Sequence, residues 1–493
     1  MAMLTALPVL LPVLCGGTML LRQRSAPFTQ KSRAAVLCLT VLTALTALAA
    51  VLVSLHRGAA VTACTLVEFE SGLTLSFRID GMGAAFAVLV SVLWPLTTVY
   101  AFSYMRHEGR ERKFFSFFLM SFGVVLGIAF AEDFLTLYIF YELLTLSTLP
   151  LVMHAMTPEA RWAGRKYLIY SFSGAAVVFA VLVFLLQYGT TLNFTLGGVL
   201  NAEKCAGAEE LLRVVFLFGF FGYGVKAAVC PLHGWLPDAS VAPTPVTALL
   251  HAVAVVKSGV FAIARLIYFG FGADFLRGTS AQTICLLAAA GTILFGSIRA
   301  LRTPHLKRRL AYSTVSNLSY IVLGLSVMSN AGLTAGLTHM VYHALLKIVL
   351  FFCAGAVLVH GGKEYTYELS GLGRVMPRTM AAFTVAALGL MGLPPLGGFA
   401  GKWLIATACV ENGSTAALFG AFALVVSAVL TTLYLLPVCI NAFFPKNGVA
   451  LPEAHEADAQ MRVPTAVLAV LGVALALCSP RLTALLAQIG GVA

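Results

Sequence analysis

Five charged side chains lie within or beside long apolar stretches of this sequence: Glu142, Lys226, Lys257, Lys347 and Lys402. A charge at the centre of a membrane helix costs about 2.5–3.5 kcal/mol on insertion scales. Burial lowers the pKa of a lysine and raises that of a carboxyl group, whereas pairing has the opposite effect. A buried lysine that loses its proton near neutral pH is suited to a proton relay. The alternative is a structural or snorkelling role, which fits Lys402, near a helix end, better than Glu142.

Histidines accompany two of these lysines. His339, His343 and Lys347 recur at intervals of four and therefore share one stripe of a helix, and His251 lies one and a half turns before Lys257. Histidine exchanges protons near neutral pH. The spacing of His339 and His343 also permits metal binding, but no carboxylate or cysteine accompanies them. We therefore predict a hydrated proton path rather than a packing role, and no metal site.

Two segments combine proline with a nearby lysine. One runs from Lys226 to Pro231 and continues through three further prolines, and the other covers residues 392–402. Proline interrupts the backbone hydrogen bonding of a helix, which a membrane tolerates only within protein or beside water. Two interrupted helices, one in each half of a chain, are typical of inverted-repeat transporters. Simple kinks without function are the alternative.

The elements that position these residues must be membrane helices. Of the 493 residues, 60% are hydrophobic and 11% are charged, and mean hydropathy is +0.92. Because a span needs about 20 apolar residues, we predict an all-α membrane protein of about fourteen spans. The predicted spans are 5–22, 33–55, 81–104, 115–131, 134–155, 165–187, 211–229, 243–268, 281–299, 310–329, 332–359, 380–410, 416–440 and 464–485. No large soluble domain fits between them.

Charge and cysteine usage exclude several classes of protein. Most of the 32 Lys and Arg residues fall in loops after odd-numbered spans, which predicts that both termini lie outside. This distribution also accounts for the net charge of +12, so the charge does not indicate nucleic-acid binding. Residues 5–21 predict a first membrane helix rather than a signal peptide, because no positive charge precedes them. The ten cysteines form no C-x-x-C pair, and no nucleotide-binding motif is visible. We predict no cofactor in this chain.

Several stretches together resemble one family. They are Phe-Tyr-Glu-Leu-Leu at 140–144, the Lys- and Pro-containing stretch at 226–238, the segment at 242–251, Lys-Arg-Arg-Leu-Ala-Tyr-Ser at 307–313, the His and Lys stripe at 339–347, and Gly-Leu-Pro-Pro-Leu-Gly-Gly-Phe-Ala-Gly-Lys at 392–402. They are similar to the antiporter-like subunits of respiratory complex I, membrane-bound hydrogenases and Mrp-type cation/proton antiporters. The resemblance covers residues 80–440 and is greatest to the D-type Mrp subunit and to hydrogenase-type members.

The resemblance implies two inverted five-helix repeats, with broken helices 7 and 12. It divides one membrane domain, 1–493, into N-terminal helices 1–3 (1–114), a first repeat (115–268), a second repeat (281–440) and a last helix (464–485). Glu142 and Lys226 would form an ion pair between helices 5 and 7. Opening of that pair would let the lysine proton move to Lys257, and then through His343 and Lys347 toward Lys402.

Two functions stay open at this point. One is a proton- or cation-translocating subunit of a redox-driven complex, and the other is a subunit of a redox-independent Na⁺/H⁺ antiporter. A solute carrier of another fold is disfavoured, because a solute site needs more varied polar groups. The expected partners are other membrane subunits, with iron–sulfur, hydrogenase or quinone-reducing subunits in the redox case. The expected location is a bacterial or archaeal inner membrane, and H⁺ is not distinguished from Na⁺.

Overall fold

A computed structural model describes residues 2–21, 28–59, 63–69, 72–445 and 451–490. Its longer helices are α1 (Ala2–Leu21), α2 (Gln30–Arg57), α3 (Gly81–Glu108), α4 (Glu111–Phe130), α5 (Phe134–Val152), α6 (Pro158–Tyr188), α7 (Glu209–Lys226), α8 (Thr244–Ala252), α9 (Val255–Arg265), α10 (Ser280–Arg302), α11 (Leu306–Ser326), α12 (Asn330–Gly361), α13 (Pro377–Met391), α14 (Gly397–Asn412), α15 (Thr415–Phe443), α16 (Ala459–Leu477) and α17 (Ser479–Ala487). One antiparallel hairpin, β1 (Cys64–Glu68) and β2 (Thr74–Phe77), precedes α3.

Ten helices in the described part of the chain are long and apolar enough to cross a membrane. The predicted helical membrane fold is confirmed. Of the other predicted spans, two are divided between shorter helices, α8 with α9 and α13 with α14. The remaining two correspond to α7 and α11, which begin with charged residues such as Glu209 and Lys307. The count of fourteen spans and the inverted repeats stay predictions.

The interruptions lie partly where the sequence places them. Helix α13 ends at Met391 and α14 begins at Gly397, which matches the break expected in span 12. The predicted span 211–229 ends earlier, at Lys226, because Ala228 adopts a positive φ of 58° and turns the chain. Span 8, predicted to be continuous, is interrupted at residues 253–254, and a π-helical segment, Leu266–Phe271, follows α9.

The chain divides into two compact units. Unit 1 comprises Met1–Thr98, Glu108–Lys226 and Val253–Leu276, and unit 2 comprises Val99–His107, Ala227–Ala252 and Arg277–Ala493. These units do not test the predicted repeats at 115–268 and 281–440, which stay a prediction.

Within unit 1, α4 packs against α1 and α5, and α7 packs against α6 and α9. Aromatic side chains fill the interface between α3 and α4, where the rings of Trp94 and Phe122 stack with centroids 4.8 Å apart. Asp133 fixes the start of α5, because its Oδ1 accepts from the Thr136 N–H at 2.7 Å. These contacts hold α5 and α7, the helices that carry Glu142 and Lys226.

Helix α12 is the centre of unit 2. It packs against α8, α11, α13, α14 and α16. Every residue from Gly332 to Val357 is buried as a result. An α-helix satisfies its own backbone hydrogen bonds, so a fully buried helix of this length is tolerated. The polar side chains between Gly332 and Val357 are therefore enclosed by protein.

Candidate functional site

Glu142 of α5 and Lys226 of α7 meet inside unit 1. The Lys226 Nζ lies 3.8 Å from Glu142 Oε1, and the lysine side chain is fully buried whereas the glutamate side chain is 20% exposed. The amine donates a hydrogen bond to the Tyr141 carbonyl oxygen and lies 3.3 Å from the centroid of the Tyr141 ring. The ring face and the carbonyl both stabilise a cation. The amine therefore has two neutral partners in addition to the carboxylate.

Lys226 is the last residue of α7. The unsatisfied carbonyl groups at the C-terminal end of a helix carry partial negative charge, which favours a cation there. The helix thus ends at Lys226, two residues before Ala228 turns the chain.

Lys257 is also fully buried in unit 1, on α9, which packs against α5 and α7. The structure therefore places it on a helix in contact with both helices of the ion pair. His251 lies in α8, and its side chain is outside the part that the structure describes.

Unit 2 holds the second group of predicted residues. His339, His343 and Lys347 are all buried on α12. The two imidazole rings are nearly parallel, with centroids 6.1 Å apart. The Lys347 Nζ donates to the Leu310 carbonyl oxygen of α11 at 2.9 Å. The expected stripe is present, and its Lys347 contacts the neighbouring helix α11.

Lys402 lies on α14, and its amine reaches the break between α13 and α14. Its Nζ donates to the carbonyl oxygens of Leu390 at 2.8 Å and Met391 at 3.0 Å, the last two residues of α13. Gly392 follows in the left-handed region with φ of 94°, a conformation that glycine adopts without steric cost. The break thus leaves two carbonyl groups for the amine. The same Nζ lies 5.4 Å from the ring centroid of Tyr320.

Sequence reasoning missed two buried cations. The guanidinium of Arg265, fully buried, forms an ion pair with Asp80 in unit 1, with Nη2 to Oδ1 at 2.7 Å. In unit 2, the Lys307 Nζ donates to the Ala242 carbonyl oxygen at 3.0 Å, and this lysine is 8% exposed. Both residues stand at the end of a helix and next to loops in the sequence, where a charged side chain is ordinarily exposed. Their burial depends on contacts distant in sequence.

Comparison with known proteins places these residues in a family. The family model described as NADH:quinone oxidoreductase/Mrp antiporter, transmembrane region, matches residues 131–431, which include every charged residue above except Asp80. The chain belongs to this family. A second model, described as the N-terminus of chain 5 of NADH-ubiquinone oxidoreductase (complex I), matches residues 69–115. The predicted resemblance is confirmed.

Relatives from both branches of the family match this family member. NADH-quinone oxidoreductase subunit N of Desulforudis audaxviator is 35% identical over 450 residues, with 86% of this chain and 88% of the relative covered. The A-type subunit of the Na⁺/H⁺ antiporter of Alkalihalophilus pseudofirmus is 30% identical over 432 residues, with 81% of this chain covered but only 52% of the relative. The chain thus spans about half the length of that antiporter protein.

Solved structures show the same fold. A chain of the Mrp complex from Dietzia sp. superposes with a TM-score of 0.84 at 22% identity, with 99% of this chain and 97% of that chain covered. A chain of the membrane-bound sulfane sulfur reductase, an archaeal respiratory membrane complex, gives the same TM-score at 23% identity, with the same shares covered. This family member is therefore a multi-pass membrane protein with the antiporter-like fold.

Proposed function

We propose that this family member translocates protons or cations as a subunit of a multi-subunit membrane complex driven by redox chemistry. The observation that carries the proposal is the ion pair of Glu142 with the fully buried Lys226, 3.8 Å apart, in a helical membrane fold. A buried charge pair is weak evidence for stability, because desolvation offsets its attraction. Ionisable residues inside a membrane are by default candidates for ion movement.

In unit 1, the proposed step begins at the ion pair. While Glu142 is close to Lys226, the carboxylate stabilises the ammonium and the lysine keeps its proton. When the pair opens, the attraction falls with distance and the proton is released more readily. Lys257, on the adjacent helix α9, is the proposed acceptor. Input from a neighbouring subunit would open or close the pair.

In unit 2, the proposed carriers are His339, His343, Lys347 and Lys402. The order of transfer follows the chain, with His343 and Lys347 before Lys402. Histidine suits the middle of such a series because both of its ring nitrogens exchange protons near neutral pH. His251 is the proposed carrier on α8. None of these steps needs a metal or a cofactor in this chain, and the redox chemistry belongs to companion subunits.

The proposed setting is the inner membrane of a bacterium or archaeon, with both termini outside. The support is the asymmetric distribution of Lys and Arg among the loops. Other membrane subunits of the same complex are the proposed partners, together with iron–sulfur, hydrogenase or quinone-reducing subunits. The finer likeness to the D-type Mrp subunit and to hydrogenase-type members also remains part of the proposal.

A second candidate is a subunit of a redox-independent Na⁺/H⁺ antiporter. The relatives named as Na⁺/H⁺ antiporter subunits and the Mrp complex among the similar structures favour it. The same buried residues would then exchange protons against a cation gradient. The two candidates differ in the driving subunits and share the relay.

The relay is tested by replacing Glu142 with Gln in the complete complex in native membrane vesicles. Coupled ion movement, measured with a fluorescent ΔpH indicator, should be lost because the neutral amide no longer stabilises the ammonium. Assembly, followed by native electrophoresis, should be intact. The matched control is Glu132→Gln, since Glu132 also lies 3.8 Å from a cation, Arg78, which is 48% exposed.

Normal coupling in E142Q would refute the relay. An equal loss of coupling in E132Q would show that any charge change in this unit disturbs the complex, which also contradicts a specific role for Glu142.

The driving chemistry is tested separately. The chain would be purified gently from its native membrane, its companions identified by mass spectrometry, and iron assayed in the same sample. Iron–sulfur or nickel–iron subunits would support the redox-driven complex. Small membrane subunits without iron would refute that assignment and leave the antiporter, and Na⁺ dependence would be measured next.

A further inference from the structure

A set of buried hydroxyl groups connects three helices of unit 2. On α11 they recur at i, i+3 and i+7, and on α15 at i, i+4 and i+7, so each set lies on one face of its helix. One serine of α10 joins them. The residues are Ser297 on α10, Ser313, Ser316 and Tyr320 on α11, and Ser427, Thr431 and Tyr434 on α15. We call this set the hydroxyl ladder. All seven side chains are buried.

The upper part of the ladder is centred on Ser427. The Tyr320 hydroxyl donates to Ser427 Oγ at 2.6 Å. Ser427 Oγ lies 3.0 Å from Ser316 Oγ, and Ser316 Oγ lies 2.8 Å from Ser297 Oγ. Ser297 and Ser427 are also hydrogen-bonded to each other. Four hydroxyl groups therefore form a continuous hydrogen-bonded cluster.

The lower part continues toward the beginning of α11. The Tyr434 hydroxyl lies 2.7 Å from Ser313 Oγ and 3.2 Å from Thr431 Oγ1. Thr431 Oγ1 donates to the Ser427 carbonyl oxygen at 2.7 Å, so the lower part reaches the residue at the centre of the upper part. From Ser313 to Tyr320 the ladder extends over seven residues of α11, or roughly 10 Å. The two parts therefore meet at Ser427 and Thr431, which are one turn apart on α15.

At each end of the ladder a basic side chain contacts a tyrosine, at its main-chain oxygen or at its ring. At the lower end, Arg309 Nη1 donates to the Tyr434 carbonyl oxygen at 2.9 Å, and Arg309 is partly exposed beside the exposed Arg308. At the upper end, the Lys402 Nζ lies 5.4 Å from the Tyr320 ring centroid. The His339 ring centroid lies 5.4 Å from the same ring. Tyr320 thus contacts two of the proposed carriers.

We propose that the hydroxyl ladder is a proton path between the Lys402 and His339 region and the basic end of α11. The inference rests on the proposed function, because it adds a route by which protons reach or leave that relay. Hydroxyl groups are both donors and acceptors, so a hydrogen-bonded chain of them passes protons. Static hydrogen bonds that hold α10, α11 and α15 together are the competing role.

The transfer balances within the ladder. A hydroxyl oxygen accepts an incoming proton on a lone pair and releases its own proton to the next oxygen, so one proton enters as one leaves. Each hydroxyl then rotates to restore its starting orientation. No bond between heavy atoms changes, and no oxidant or reductant is involved. Tyr320 is the residue through which the proton leaves or enters the relay.

The test compares hydroxyl-deletion variants of the complete complex in native membrane vesicles. Tyr320→Phe and Ser427→Ala remove one hydroxyl each, and Ser427→Thr retains it. The matched control is Tyr342→Phe, a buried tyrosine outside the ladder whose hydroxyl donates to the Leu475 carbonyl oxygen at 3.0 Å. The rate of ΔpH formation per assembled complex is measured in H₂O and in D₂O.

We expect Tyr320→Phe to lower the rate by about 10²-fold, the lower end of what a positioned proton-transfer group contributes. Ser427→Ala should also lower the rate of ΔpH formation, and Ser427→Thr should restore it. The slow variants should show a larger decrease of this rate in D₂O, and Tyr342→Phe should change the rate little. A normal rate in Tyr320→Phe would overturn the proposal, as would an equal loss in Tyr342→Phe or Ser427→Thr. If Glu142→Gln abolishes transport while Tyr320→Phe leaves it intact, only the ladder is refuted. If both are normal, the proposed function fails as well.

Discussion

Replacing Asp80 by Asn removes the negative charge that faces Arg265 and keeps the size of the side chain. Asn can still accept from the Gly83 N–H, which donates to Asp80 Oδ1 at 2.8 Å, so the start of α3 is retained. The substitution therefore isolates the ion pair from the helix cap. We expect a loss of stability without a change in the fold.

The magnitude follows from the burial of the cation. The Arg265 side chain is fully buried, and its guanidinium carbon lies 4.2 Å from the Phe194 ring centroid and 4.6 Å from that of Phe269. Removing one partner of a buried pair costs about 3–5 kcal/mol, because the other charge stays buried without its counter-charge. Arg265→Met should cost less, since the Asp80 side chain is 32% exposed and water can solvate its carboxylate.

The pH dependence has a definite sign. Burial by itself raises the pKa of Asp80, but the charge and hydrogen bonds of Arg265, with the Gly83 N–H, outweigh it and hold the pKa below the ordinary value. A lowered carboxyl pKa stabilises the fold above the unfolded value of about 3.9. That contribution is lost as the pH falls through the folded-state pKa. The difference between wild type and D80N should therefore be complete at neutral pH and shrink below about pH 4.

Thermal unfolding of the detergent-solubilised complex, followed by tryptophan fluorescence at several pH values, measures these effects. Asp238→Asn is the matched control, because Asp238 contacts the 49% exposed Arg308 at 2.7 Å and such pairs contribute about 0–1 kcal/mol. The double variant D80N/R265M should recover most of the lost stability, since an apolar side chain of similar length replaces the buried charge. Equal melting temperatures for D80N and D238N at neutral pH would refute the reasoning.

Two further substitutions test the second unit. Gly401→Ala should destabilise the protein by about 1–3 kcal/mol and slow transport, because the new Cβ would lie 2.7 Å from His339 Nδ1. The control is Gly291→Ala, whose new Cβ has no atom within 4 Å and which should leave the melting temperature unchanged in the same assay. Lys347→Met should abolish ΔpH formation with assembly intact, because it removes the amine bonded to the Leu310 carbonyl, and a normal rate would exclude Lys347 from the relay.

Much of the site is visible in the sequence because charge inside apolar runs is conspicuous. Lys226, Lys257 and Lys347 stand out for this reason, and the structure buries all three completely. The break near Lys402 is also visible, since residues 392–396 combine glycine with two prolines. What these residues do is not decided by their burial, and the relay remains a proposal.

Other features leave no comparable local signal. The interruption at residues 253–254 falls at Val253 and Ala254, which neither remove a donor nor favour unusual backbone angles, so tertiary packing decides it. Arg265 becomes a buried charge only because Asp80, far away in the sequence, reaches it. The hydroxyl ladder has a signal in its helical spacing, but serine and threonine are common in membrane helices and only the packing of α11 against α10 and α15 shows that the hydroxyl groups meet.

Four buried lysines in the described residues share one kind of hydrogen-bond acceptor. Lys226, Lys307, Lys347 and Lys402 all donate to main-chain carbonyl oxygens. A carbonyl is neutral, and it accepts a hydrogen bond from an ammonium and from a neutral amine alike. Loss of the proton therefore need not break this hydrogen bond, although at Lys226 it also removes the cation that faces the Glu142 carboxylate 3.8 Å away. The acceptor is the same before and after the proton leaves, so a proton can leave or return at such a lysine without a change of hydrogen-bond partner.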